Sequence, residues 1–81
     1  MLALRVLCPT DLTPALLEVL RRAPGATHVV RLAGAAIDPP GDVLLADLAR
    51  EAVSEVLAQL QAVPGGEGCA YTLEAVDTTI S

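Results

Sequence analysis

Apolar and polar positions alternate along this chain with two different periods, and the change from one period to the other occurs twice. In Val43–Leu48, six residues carry a single charge, which is typical of a central β-strand. From Ala49 to about Ala62 the apolar residues follow the i, i+3, i+4, i+7 spacing of an amphipathic helix. A strand that leads directly into a helix is half of a β-α-β unit, so this stretch predicts one such half.

Three other stretches show the period of two expected of β-strands. They are Leu2–Cys8, Thr27–Ala33 and a stretch from Cys69 to about Val76, after which a short tail covers residues 77–81. Alternation within the four strands predicts the following core-facing side chains: Leu2, Leu4, Val6, Cys8, Val30, Leu32, Leu44, Ala46, Leu48, Tyr71 and Leu73.

A second helix precedes the strand at 27–33. It begins between Thr10 and Pro14, because Thr10 or Thr13 can cap it and proline is tolerated in a first turn. Pro24-Gly25 ends it. The segment Gly34–Gly41 contains a Pro-Pro-Gly sequence without helical potential, and we expect it to be the loop that joins strands two and three.

The resulting order, β-α-β-β-α-β, predicts a single α+β domain over residues 1–81, of the ferredoxin-like (split β-α-β) class. Right-handed crossovers then give an antiparallel sheet of strand order 4-1-3-2 with both helices on one face. The other face of the sheet is left uncovered.

The uncovered face is the first candidate functional surface. Asp47 is expected on it between Arg5 and Arg31, either as a solvated ladder of charges or as the polar centre of a contact face. Its candidate interaction residues are Arg5, Leu7, Val29, Arg31, Val43, Leu45 and Asp47. About half of the outward positions are apolar, which favours contact with a second copy or another protein.

Charge excludes some partners. The chain has ten acidic residues against five basic ones, all arginine, which gives a formal charge of −5. Nucleic acid and anionic lipid both select for clustered basic residues, so neither is an expected partner. No apolar run reaches the roughly eighteen residues that would cross a bilayer, and no export signal is present, so a cytoplasmic location is expected.

Few residues suggest chemistry. Cys8 ends strand one and Cys69 begins strand four, which predicts two thiols at the same end and on the same face of the sheet. They form either a redox pair or two buried structural thiols, because a reducing compartment keeps such pairs reduced. No metal site is expected, since the one histidine, His28, lies at the opposite end.

The remaining polar residues do not form a catalytic pattern. His28 has no nucleophile beside it, Ser54 lies on a helix face, and Ser81 lies in the tail. Asp38 and Asp42 flank the proline turn, where aspartate stabilises loop geometry. We therefore expect no enzymatic activity and no cofactor.

Three segments carry a resemblance to a known family: LRVLCPTDLT, GAAIDPPGDVLLADLAREAVSEVLAQL and LEAVDTTIS. Together they resemble the N-terminal part of the domain of unknown function 389 (hydrophobic-domain) family of bacterial membrane proteins. Family members continue into transmembrane helices, so the resemblance implies a soluble, cytoplasm-facing domain of a longer polytopic protein. No catalytic motif comes with it.

Two functions remain open. The first is a non-enzymatic regulatory or assembly domain that acts through self-association or protein contact at the uncovered face, beside the transmembrane helices of its own full-length chain. The second is a small-ligand sensor similar to ACT-type regulatory domains, which share this topology and bind amino acids at dimer interfaces.

Overall fold

The computed structural model describes residues 1–77 and residue 80, and within them the chain forms four strands and two α-helices. In chain order these are β1 (Leu2–Cys8), α1 (Thr13–Arg22), β2 (Ala26–Ile37), β3 (Pro40–Leu48), α2 (Val53–Ala62) and β4 (Ala70–Ala75). Thr78, Thr79 and Ser81 of the predicted tail lie outside the described residues.

The four strands form one antiparallel sheet in the order β2-β3-β1-β4. Read from the other edge this is 4-1-3-2, so the predicted strand order is confirmed. The two central strands are β1, at the N-terminus, and β3, which precedes α2. The two edges are β2, which is twelve residues long, and β4, which has six.

Side chains from both helices and from one face of the sheet form a single core. The even-numbered residues of β1 and β3 point into it, because alternate side chains of a strand share a face. The buried apolar residues are Leu4, Val6, Cys8, Leu16, Leu20, Ala23, Leu44, Ala46, Leu48, Val56 and Leu60. Both helices therefore pack on the even-numbered face, as predicted, and the odd-numbered side chains of β1 and β3 remain partly or fully exposed.

A β-bulge changes the side-chain alternation of β2. Two residues of this strand, His28 and Val29, lie opposite the single residue Ala46 of β3. His28 has a φ of 52°, in the left-handed region that residues other than glycine rarely adopt. A bulge of this kind inserts one unpaired residue, so every side chain after it moves to the opposite face.

The bulge makes the predicted orientation of β2 wrong. Val29 packs against the core, whereas Val30 and Leu32 retain 41% and 44% of their exposure. Arg31 pairs with Leu44, so its side chain lies on the helix-covered side of the sheet. Period-two alternation cannot reveal this shift, because it assumes an uninterrupted ladder.

The segment predicted as a loop between strands two and three is instead a hairpin. Ile37 pairs with Pro40 across a two-residue tip, Asp38-Pro39, whose peptide bond is cis. A second irregularity between Leu32 and Ala36 interrupts the ladder below the tip. Ile37 is 88% exposed there, so the hairpin extends past the helix-covered core as an arm.

Each helix is preceded by a short 3₁₀ turn, Thr10–Leu12 before α1 and Arg50–Ala52 before α2. The α-helical part of the second helix therefore begins at Val53, four residues after the predicted start at Ala49. No side chain of the described residues caps either helix, so the expectation that Thr10 or Thr13 caps α1 was wrong.

Candidate functional site

Register between the strands arranges the uncovered side of the sheet in three rows, which together we call the open face. Directly opposed residues of antiparallel strands share a face, so each row runs across all four strands. The acidic row is Thr27, Asp47, Ala3 and Glu74; the mixed row is Val30, Leu45, Arg5 and Thr72; the apolar row is Leu32, Val43, Leu7 and Ala70.

Five of the seven predicted interaction residues lie on the open face: Arg5, Leu7, Val43, Leu45 and Asp47. The other two, Val29 and Arg31, do not, because the bulge at His28 turns them to the helix-covered side. Val30 and Leu32 take their places, and sequence alternation assigned both to the core. On the open face, a valine and an arginine of the prediction are thus replaced by a valine and a leucine, which makes the face more hydrophobic than predicted.

The charge ladder expected around Asp47 does not form, since Arg31 lies on the other side of the sheet. Asp47 instead contacts His28, with 2.8 Å between Nδ1 of the imidazole and Oδ2 of the carboxylate. Both side chains are partly exposed to solvent, so the contact contributes little to stability. It fixes Asp47 at one end of the open face.

A shallow groove of about 250 Å³ crosses the mixed and acidic rows between β3 and β4. Its lining includes the guanidinium-bearing Arg5 and the carboxylate of Glu74, with Leu45 and Thr72 between them. The volume of the groove is slightly smaller than that of the cavities that hold drug-sized molecules. The groove therefore fits at most one small polar molecule.

On the opposite side of the sheet, the buried Asp42 is the centre of a polar cluster. Only 3% of Asp42 is exposed, and its carboxylate accepts three hydrogen bonds. The Thr13 hydroxyl donates at 2.6 Å, the Gly34 amide at 2.7 Å and the Thr10 hydroxyl at 3.3 Å. These bonds connect the first residue of α1 and the 3₁₀ turn before it to the irregularity of β2 and the start of β3.

The environment of Asp42 favours its ionised form. Its pKa lies below the ordinary 3.8, chiefly because the Thr13 hydroxyl and the Gly34 amide donate to the carboxylate; Thr10 and the Arg31 charge act in the same direction, against the effect of burial. A carboxylate held in this state is a poor general acid or base near neutral pH. Its role here is to hold three chain segments together, which extends the loop-stabilising role predicted for it; Asp38 lies at the exposed hairpin tip.

Cys8 lies beside this cluster, and it is not bonded to the other thiol, Cys69. Cys8 Sγ is 3.5 Å from the Thr13 hydroxyl, and Cys69 Sγ is 3.9 Å from the Gly65 carbonyl oxygen. Burial is the main cause that raises the pKa of each thiol. Burial also raises the pKa of Tyr71 to about 12, and its hydroxyl donates to the Gly66 carbonyl at 2.6 Å. None of these groups is activated as a nucleophile.

Other residues considered for chemistry are separated from one another. His28 and Asp47 meet on the open face, Ser54 is exposed on α2, and Ser81 lies outside the described residues. Among the residues that the structure describes, no group of three or more His, Cys, Asp or Glu side chains could hold a metal ion. None of the described helices is long and apolar enough to span a bilayer.

Comparisons with protein-family models, curated proteins and solved structures find no significant match for this chain.

Proposed function

We propose that this protein is a non-enzymatic contact domain that associates with a second copy of itself through the open face. The observation that carries the proposal is the position of Val30 and Leu32, which are 41% and 44% exposed and lie next to Leu45 and Val43. These four side chains and Leu7 form a contiguous apolar patch over three strands. Patches of this kind on small soluble domains mark contact sites.

The charges at the edge of the patch favour a second copy as the partner. Arg5 lies in the mixed row, while Asp47 and Glu74 lie in the acidic row next to it. A two-fold axis in the plane between two stacked faces brings Arg5 of one copy towards the carboxylates of the other. Such an interface is self-complementary, as two-fold dimers require.

The size of the face sets the strength of the association. Four strands about 4.8 Å apart and seven residues at about 3.3 Å each give a projected area of roughly 450 Å². Stable complexes bury about 800 Å² per partner, so we expect a weak dimer with a dissociation constant between roughly 10 μM and 1 mM. Its population then depends strongly on local concentration.

This weakness fits the family resemblance, which we retain as part of the proposal. A domain tethered beside the transmembrane helices of its own chain on the cytoplasmic side has a high effective concentration when two chains meet in the membrane. Self-association would then regulate or assemble a polytopic membrane protein. Within the same proposal we assign the α+β domain to the ferredoxin-like class, on its element order and strand order.

Sedimentation of the 81-residue chain tests the dimer. The wild type is expected to shift from monomer to dimer between about 10 μM and 1 mM, whereas Leu32→Glu and Leu45→Glu remain monomeric because a charge would be buried in the interface. Gln61→Glu is the matched control: it adds the same charge at an exposed position of α2 and should dimerise like the wild type.

Two results would refute the proposal. One is a wild type that stays monomeric throughout the concentration range; the other is an open-face variant that dimerises as well as Gln61→Glu. Binding of a different protein by a wild type that stays monomeric would retain the contact face but reject the second copy as its partner.

A ligand-sensing function similar to that of ACT-type domains is the second candidate, and the groove beside Arg5 and Glu74 favours it. An amino acid could place its carboxylate on the guanidinium and its ammonium group on Glu74. Titration with the twenty amino acids tests this candidate. A ligand at 100 times its dissociation constant stabilises the fold by about 2.7 kcal/mol. The increase in unfolding free energy should be absent in Arg5→Gln. If none of the amino acids stabilises the wild type, the ligand-sensing function is contradicted.

A further inference from the structure

The sheet register brings the two cysteines of the chain together. Leu7 pairs with Ala70 at the end of the β1–β4 ladder; the next residues outward are Cys8, the last residue of β1, and Cys69, which directly precedes β4. The backbone at Cys69 is extended, with φ −79° and ψ 161°, so it continues the direction of β4. Cys8 and Cys69 therefore occupy opposed positions at one end of the sheet.

Both thiols point to the same side. Cys8 is buried in the core, and Cys69 is partly buried against the same cluster of side chains. Opposed residues of antiparallel strands have Cα atoms about 4.5–5.5 Å apart, and disulfides require about 4.4–6.8 Å.

We propose that Cys8 and Cys69 are a reversible oxidation site, which forms an intrachain disulfide by exchange with a small disulfide such as glutathione disulfide. The bond would join β1 to the start of edge strand β4 and to the 3₁₀ turn Gly66–Gly68 before it. Because the two thiols lie on the side of the sheet opposite the open face, this site is independent of the proposed dimer.

Cys69 reacts first, because it is the more exposed of the two thiols. Its thiolate attacks one sulfur of glutathione disulfide, breaks the S–S bond and releases one glutathione thiolate. The Cys8 thiolate then attacks the Cys69 sulfur of this mixed disulfide and releases the second glutathione. The protein loses two electrons and two protons, and one glutathione disulfide becomes two glutathione thiols.

Equilibration of the reduced chain in glutathione redox buffers tests the proposal. Acid quenching, alkylation and peptide mass spectrometry then measure the linked Cys8–Cys69 fraction in native buffer and in concentrated guanidinium chloride. The folded chain should show an equilibrium constant for the disulfide at least tenfold higher than the unfolded chain, because the sheet holds the thiols together. The oxidised chain should also melt at least about 5 °C higher, since the bond closes a loop of about 60 residues.

Cys69→Ser is the control variant, and it should form neither the intrachain bond nor much mixed disulfide at the buried Cys8. Three results would overturn the proposal: an equilibrium constant no higher in the folded chain, a glutathione adduct on Cys69 that does not resolve, or bonds between chains in place of the intrachain bond.

Discussion

A single buried carboxylate determines much of the local structure at one end of the sheet. Asp42 accepts hydrogen bonds from Thr10, Thr13 and the Gly34 amide. The threonine hydroxyls that would ordinarily cap a helix are thus used by a residue 29 or more positions away in the sequence. This arrangement leaves α1 without a side-chain cap and replaces the cap with a tertiary contact.

The lowered pKa of Asp42 predicts a pH dependence of stability. A carboxyl whose pKa is lower in the folded than in the unfolded chain stabilises the fold above its unfolded pKa, here about 3.8. That contribution is lost as the pH falls through the lower, folded value. We therefore expect the unfolding free energy of the wild type to fall more steeply below about pH 4 than that of Asp42→Asn, as measured by urea denaturation at a series of pH values.

Asp38→Asn is the matched control for this experiment, because Asp38 lies at the exposed hairpin tip. It should retain the steep acid dependence of the wild type and nearly all of its stability at pH 7. An Asp42→Asn variant with an unchanged acid dependence would show that the hydrogen bonds at 2.6 and 2.7 Å do not favour the ionised carboxylate.

At the scale of elements, the bulge in β2 decides which side chains the protein presents. One inserted residue at His28 places Val29 in the core and Val30 on the open face. The left-handed backbone at His28 costs about 1–2 kcal/mol for an L-residue, so packing elsewhere must offset it. Burial of Val29 and pairing along the rest of the β2–β3 ladder supply that stabilisation.

Substitutions at His28 test the backbone strain directly. His28→Gly should be about 1–2 kcal/mol more stable than His28→Val, because glycine adopts a φ of 52° freely and a β-branched residue does not. Both variants lose the contact with Asp47, so the difference between them isolates the backbone. Urea denaturation measures it.

The same two substitutions, to glycine and to valine, at the neighbouring residue Thr27 provide the control. At Thr27 the order should reverse, with valine more stable than glycine, because that position is an ordinary strand position. Equal stabilities of the two His28 variants would mean that the bulge is absent in solution.

At the scale of the whole molecule, the sheet has two apolar faces, and only one of them is covered by helices. Leu44 is fully buried beneath the helices, and Leu45 next to it in β3 lies on the open face. A small domain built from leucine, valine and alanine has little stability to lose. Leu44 therefore tests the contribution of the core to folding, and Leu45 tests the contribution of the open face to association.

Alanine substitution of each leucine should give different results in dilute solution. Leu44→Ala is expected to lower the unfolding free energy by about 3 kcal/mol, because it leaves a cavity in the core. Leu45→Ala should lower it by less than about 1 kcal/mol in the monomer, and by more at concentrations where the wild type dimerises. Urea denaturation at low and high protein concentration measures both effects, and equal losses at low concentration would contradict the one-sided core.

Sequence patterns alone were sufficient to predict the order of elements, the strand order and most of the core. The elements and the core depend on local periodicity: even-numbered positions of β1 and β3, such as Leu4, Val6 and Leu48, are buried as expected. The strand order and the placement of both helices on one face follow from the right-handed hand of the two β-α-β crossovers.

Only the tertiary structure decided the orientation of β2 and the role of Asp42. An inserted bulge residue leaves no mark in hydropathy, yet it exchanged Val29 and Arg31 for Val30 and Leu32 on the open face. Likewise, Asp42 reads as a turn residue until the chain folds and brings Thr13 and Gly34 to it. In both cases the deciding contacts join residues distant in sequence, and local propensity contains no information about such pairs.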